Sequence, residues 1–238
     1  MEKSPAKRFG VARVLSKQGL ASRTQAAAWV REGRVSVNGF VVRDPEFPVV
    51  QEHDTVSVAG LIEKTVESIY LMLNKPQGLL TTTSDEKGRD TVYRCFDGAG
   101  LPWIAPVGRL DKASEGLLLF SNDTAWAAKI TSPDTALDKT YHVQINRLPN
   151  SDDVKKMQQG VYIEGELHAM KQVSILREGE KNAWLEIVLD EGKNRQIRKI
   201  LSALNYDVLR LIRVSIGKLE LGQLAKGQWR KLSANEVL

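Results

Sequence analysis

Cysteine is almost absent from this chain. Cys95 stands alone among 238 residues, so no internal disulfide framework is possible, which fits a reducing cytoplasm. Histidine is nearly as scarce. His53, His142 and His168 are scattered and have no cysteine nearby, which argues against a zinc site. No apolar run approaches the roughly 20 residues needed to span a bilayer. The opening MEKSPAKRFG lacks the apolar core of a signal peptide. No Gly-rich phosphate loop or dinucleotide fingerprint is present. These gaps exclude a disulfide-stapled secreted domain, a membrane protein, a zinc enzyme and the common nucleotide-dependent enzymes.

What is present is an ordinary globular composition, 42% apolar and 26% charged. The length suits one large domain or two smaller ones. The net charge of +5 hides an asymmetry. Residues 1–43 hold nine Lys/Arg against two Asp/Glu, a balance of +7, so residues 44–238 sum to −2. A basic head on a near-neutral body points to a polyanion-binding module attached to something else.

Disorder is expected over residues 1–6. From Lys7, the residues Phe9, Val11, Val14 and Leu15 fall at helical spacing, with Gly19 as a stop. Ser22 opens a capping pattern with Gln25, and the helix through Trp29 and Val30 ends at Gly33. Val35 and Val37 lead into Asn38-Gly39, a strong hairpin signal, and Val41 and Val42 return. A further strand is expected at Thr55 to Val58. The charge excess on this unit makes Arg13, Lys17, Arg23, Arg31 and Arg34 candidates for phosphate contact, against the alternative of a solvated helix face. Gly60 to Ser68 reads as a linker. The boundaries expected are a first domain over 1–62, a linker over 63–68 and a second domain over 69–238.

The second domain opens with an apolar strand, Ile69 to Leu73, running into N-K-P-Q-G-L-L, a turn and another strand start. A short helix is expected at Val92 to Phe96 and one capped by Asp123 through Ile130. KTYHVQI, from Lys139, alternates as a strand. A helix follows at Ser151 to Gln159, then strands near Val161–Ile163, Gln172–Leu176, Ala183–Leu189 and Leu209–Ile216. Trp229 is expected to pack a last strand.

Two stretches carry chemistry. In PVGRLDKASEGLLLFSND, the apolar runs Ile104 to Val107 and Leu117 to Phe120 frame a loop holding Arg109, Asp111, Lys112 and Glu115 between glycines. Such a loop is a place for catalysis, unless it is a surface hairpin with solvated charges. In E-G-K-N-R-Q-I-R-K-I-L, a helix is expected whose apolar face is Ile197, Ile200, Leu201 and Leu204, with Arg195, Arg198 and Lys199 sharing another face. Residues 193–213 hold six Lys/Arg and one acid, Asp207.

G-R-L-D followed by S-E-G-L-L-L and N-D resembles the active-site motif of pseudouridine synthases, and within them the RsuA family, which modifies bacterial ribosomal RNA. N-K-P-x-G, Lys-x-Tyr and Q-I-R extend the resemblance along nearly the whole chain. L-S-K-Q-G-L-A-S-R and G-R-V-S-V-N-G are similar to the RNA-binding module named after ribosomal protein S4. The resemblance implies an α+β fold, a small S4-like domain before a catalytic domain with a mixed, mostly antiparallel sheet flanked by helices. It implies that Asp111 is the nucleophile, that Tyr141 is the active-site tyrosine, and that Arg198 pairs with Asp111. It places Leu211 at the uracil pocket. Arg109 would fill the space left by a flipped uridine, and Lys193, Arg195 and Lys199 would contact RNA. Arg195 stands where many members have His. No cofactor and no metal are implied. The implied partner is ribosomal RNA, with members acting on the large subunit the nearer match, in the cytoplasm, and a monomer is expected. Two other classes would share the basic head: a non-catalytic RNA-binding ribosome-assembly factor, which would not need Asp111 and Arg198 in matching motifs, and an RNA methyltransferase, for which no Gly-rich strand-to-helix turn is present.

Overall fold

The computed structural model describes residues 8–51, 53–60, 67–83 and 85–237. The chain divides into two compact units. One is Met1–Tyr70 with Gly100–Ala105 and Ser121–Trp126; the other is Leu71–Ala99 with Pro106–Phe120 and Ala127–Leu238. The expected disorder at 1–6 and residues 63–66 of the expected linker lie outside the described residues.

The first unit begins with β1 (Phe9–Gly10), α1 (Val11–Lys17) and α2 (Arg23–Arg31), then β2 (Val35–Val37), β3 (Phe40–Val42), β4 (Pro48–Val49) and β5 (Val56–Val58). Ser22 caps α2 as its motif predicts, its Oγ accepting from the Gln25 amide at 3.1 Å. Asn38 and Gly39 both take positive φ, 51° and 84°, so the two-residue turn matches the twist of the β2–β3 hairpin. Helical spacing placed Phe9 on α1. It instead lies in β1, paired with Val49, because Gly10 stays extended (ψ 139°) and the helix starts only after it. Val11, Leu15, Ala26 and Val30 from the helices pack with Val35, Val37 and Val58 from the sheet β3-β2-β5.

The second part of the chain carries β6 (Tyr70–Lys75), β7 (Ala105–Val107), β8 (Glu115–Ser121), α3 (Thr124–Thr131), β9 (Lys139–Ile145), α4 (Ser151–Gln159), β10 (Val161–Ile163), β11 (Glu166–His168), β12 (Gln172–Glu178), β13 (Ala183–Leu189), α5 (Gln196–Ala203), β14 (Val208–Ile216), β15 (Leu219–Glu220) and β16 (Trp229–Lys231). A nine-stranded sheet runs in the order β12-β13-β9-β14-β8-β6-β16, with β15 on β14 and β7 on β8. Its β13–β9 and β9–β14 pairs are antiparallel, and β14–β8 is parallel. The sheet is therefore mixed, as the resemblance implied. Ile197, Ile200 and Leu201 of α5 join Val143, Ile145, Leu185 and Ile187 of the central strands in one core. Trp229 packs its ring 5.6 Å from that of Phe96.

Three further local features depart from what the sequence suggests. Leu80 forms only an isolated bridge with Thr91, where a strand start was expected. β11 had no strand signal of its own, since Glu-Leu-His is poor in β-formers; it is recruited by pairing with β10. Arg195 is not on the helix. It is the N-cap of α5, in the left-handed conformation with φ 52°, so it shares no helical face with Arg198 and Lys199. Among the described residues no helix is long and apolar enough to cross a membrane.

Candidate active site

The loop Gly108 to Ser114 joins β7 to β8, and its backbone is pinned from several sides. The Lys75 ammonium donates to the carbonyls of Ser114 (2.8 Å) and Pro76 (3.1 Å). The Gly78 amide donates to the Lys112 carbonyl at 2.8 Å. The Thr81 hydroxyl donates to the Leu110 carbonyl at 2.7 Å, and Arg198 Nη2 donates to the Ala113 carbonyl at 3.2 Å. N-K-P-x-G and Q-I-R, remote in sequence, thus hold one turn. Asp111 sits on that turn, exposed, with Oδ2 3.2 Å from Arg195 Nη1.

Lys75 is fully buried. Burial lowers its ammonium to about 8, with Cys95, Glu115 and Asp111 acting in the opposite direction. A lysine with a depressed folded value releases its proton in the native state while the unfolded chain still holds it. Stability from this group therefore rises with pH between about 8 and the ordinary lysine value of 10.5. Urea unfolding at pH 7.5 and 9.5 should show a smaller gain for Lys75→Met than for the native chain. Equal gains would mean that Lys75 does not titrate in this window.

Glu115 follows the loop and is also buried. Arg210 grips both its oxygens at 3.0 Å, and Lys226 contacts Oε2. Burial pushes the Glu115 carboxyl up, but the bonds from Arg210 and Lys226 outweigh it and leave it below its ordinary value. This clamp ties β14 to β8 just behind the loop.

Beside the loop lies a cavity of about 580 Å³. Its lining includes one face of three adjacent strands. Tyr141 of β9 stands opposite Arg213 of β14, and Lys139 lies between Leu189 and Ile216; side chains so paired share a face. Tyr141 and Leu211 are both buried. Arg198 is half-buried, and burial, then Arg195, lowers its guanidinium from its ordinary value while Asp111 acts in the opposite sense.

Arg109, Asp111, Tyr141, Lys193, Arg195, Arg198 and Leu211 all line this cavity. Lys199 does not; its ammonium lies 3.6 Å from Glu164. The expected Arg198–Asp111 pair is not formed. Arg195 takes Asp111, and Arg198 holds the loop backbone instead, because Arg195 stands free of the helix at its N-cap. Arg13, Lys17, Arg23, Arg31 and Arg34 belong to the first unit. Arg13 and Lys17 are exposed on α1, 5.2 and 4.3 Å from the Phe9 ring centroid. Arg31 is exposed. Arg23 is paired with Glu46 at 3.3 Å and Arg34 with Glu32 at 3.8 Å.

Lys139 and Arg213, which no motif singled out as site residues, also belong to this floor. Their signal was period two: Lys139 is two residues before Tyr141 and Arg213 two after Leu211.

The family described as RNA pseudouridylate synthase matches residues 69–203, and the S4 domain matches residues 10–56. A protein of Aquifex aeolicus called an uncharacterized RNA pseudouridine synthase is 37% identical over 94% of this chain and 90% of its own length. Ribosomal large subunit pseudouridine synthase B of Bacillus subtilis is 33% identical over 94% of this chain and 92% of its own. A solved structure described as pseudouridylate synthase superposes with a TM-score of 0.66 at 27% identity, covering 96% of this chain and 98% of the other.

Proposed function

This chain belongs to the RNA pseudouridine synthase family, and from that premise we propose that it isomerises a uridine of ribosomal RNA through Asp111, without a cofactor. The observation that carries the site assignment is the pinning of one carboxylate-bearing turn, by Lys75 and Arg198, at the rim of a cavity floored by Tyr141 and Leu211.

The reaction breaks the N1–C1′ bond of a uridine, turns the uracil and rejoins it through C5. The C5 hydrogen leaves to solvent and N1 gains one. In this reading the Asp111 carboxylate acts on the base or the sugar, and Arg195 orients it through a charge-assisted bond. Arg198 keeps the turn in place from beneath. Tyr141 stacks on the uracil and Leu211 closes the apolar side. The target nucleotide must leave its stack to enter, and exposed Arg109 then fills the gap. Lys193 and Lys199 meet the backbone nearby. Residues 1–62 form the RNA anchor and 69–238 the catalytic part. Large-subunit RNA is the preferred substrate, on the strength of the Bacillus subtilis relative's name. The protein acts as a monomer in the cytoplasm.

The test is release of tritium from ribosomal RNA labelled at uridine C5, with no added metal or nucleotide, comparing large- and small-subunit RNA. Release that starts only when a cofactor is supplied, or none from either RNA, would sink the reading. The anchor is tested separately. Neutralising Arg13, Lys17 and Arg31 together should weaken RNA binding and flatten log affinity against log salt by roughly 0.7–0.9 per lost contact. An unchanged slope would remove these residues from the RNA interface.

A further inference from the structure

Arg213 lies on the cavity floor with an unmade bond. The residue is only 6% exposed. Its Nε donates to the Leu117 carbonyl at 2.8 Å, but its Nη2 is buried with no partner. Among the described residues no carboxylate forms an ion pair with it. A buried guanidinium without a counter-charge is expensive, and an apolar side chain of similar length would fill the same strand position more cheaply. The arrangement makes sense if something entering the cavity completes it.

The surroundings say what that is. Tyr141 faces Arg213 across the strand pair, and Leu211 and Ile216 share its cavity face. These are walls for a flat, largely apolar ring. The exposed cations Arg109, Lys193 and Arg195 are the ones placed to meet phosphates. The group that reaches Arg213 is therefore the base.

We propose that Arg213 is a further catalytic residue, donating from Nη2 to a carbonyl oxygen of the uracil and stabilising the negative charge on that ring after it detaches. This rests on the isomerase reading above. When N1–C1′ breaks, its electron pair leaves with the uracil, which becomes an anion spread over N1 and the ring carbonyls. C1′ is relieved by the Asp111 carboxylate or by loss of the C2′ proton. Rotation brings C5 to C1′; the C5–C1′ bond forms as the Asp111–C1′ bond breaks or as C2′ regains its proton, the C5 proton then goes to solvent and N1 is protonated. Arg213 keeps its own protons throughout. Its donor is fixed before the charge appears, so it favours the detached ring over the bound uridine.

The experiment uses the full chain with labelled ribosomal RNA. Arg213→Gln should lower the single-turnover rate at saturating RNA about 100-fold or more, with RNA affinity within about threefold and an unchanged urea midpoint. Arg213→Ala should recover part of its rate when millimolar methylguanidinium is added. A rate kept at saturating RNA with weakened, less salt-dependent binding would make Arg213 a phosphate contact and overturn the proposal. A lower urea midpoint with no methylguanidinium rescue would make it a structural residue and overturn it too. If the variants do not fold, the native protein is given RNA transcribed with 2-thiouridine or with 4-thiouridine. One of these weaker acceptors should slow turnover about 10-fold; equal rates on all three RNAs overturn the proposal. No release by the native protein overturns the isomerase reading and this proposal together, whereas equal release by native and variant chains overturns this proposal alone.

Discussion

Asp111→Asn should lower the single-turnover rate by at least about 10⁴-fold while the chain folds and binds RNA almost as before. The carboxamide has the same size as the carboxylate but is not a nucleophile and cannot carry its charge. The loop does not depend on the Asp111 side chain for its shape. It is held through the backbone of Leu110, Lys112, Ala113 and Ser114, by Thr81, Gly78, Arg198 and Lys75. What the substitution removes is the Arg195 ion pair. Those side chains are 51% and 43% exposed, and a pair that open to water contributes about 1 kcal/mol at most. Urea melts should therefore nearly superimpose, and titration with ribosomal RNA should give similar affinities. Pseudouridine formed by the purified variant, beyond a trace from deamidation, would take the nucleophile's role from Asp111.

That prediction rests on the resemblance of G-R-L-D to the family's motif. Charges placed between glycines and two uncharged apolar runs marked the loop, but by themselves left a solvated surface hairpin open. The strands at Lys139–Ile145 and Ala183–Leu189, and the Asp123 cap with the helix behind it, were legible because each is a local pattern. The partner of Asp111 was not legible. Motif matching favoured Arg198, but one residue in the left-handed conformation ahead of α5 frees Arg195 to reach across 84 positions of sequence. Arg23 and Arg34 read as candidates for phosphate contact, yet Glu46 and Glu32 already neutralise them in part. Arg213 was counted as one more basic residue. Only the β9–β14 register, which sets it opposite Tyr141, makes it part of the floor. Alternation puts Arg213 on the face of Leu211, but which strand stands opposite that face is set by pairing between segments distant in sequence.

Gly116→Ala should destabilise the fold by about 3 kcal/mol or more, the largest stability effect expected of a single methyl group here. Gly116 sits at the start of β8 with φ 99°, where the parallel partner β14 passes close by. A Cβ built there lies 2.3 Å from the Arg213 carbonyl oxygen, 2.8 Å from its nitrogen and 3.0 Å from its carbonyl carbon. All three are backbone atoms, so no side chain can swing aside. Relief requires parting β8 from β14, yet β14 is paired with β9 along nearly its whole length and clamped to Glu115 by Arg210. The same displacement would shift the Asp111 turn and Arg213 relative to each other, so activity should fall further than the loss of folded protein explains. Gly78 supplies the control. Its φ is similar, 97°, but a Cβ there meets nothing within 4 Å, so Gly78→Ala carries only backbone strain of about 1–2 kcal/mol. Urea unfolding of the two variants separates conformation from contact. If Gly116→Ala costs no more than Gly78→Ala, the strands can yield, and the close approach of β14 is not what demands glycine.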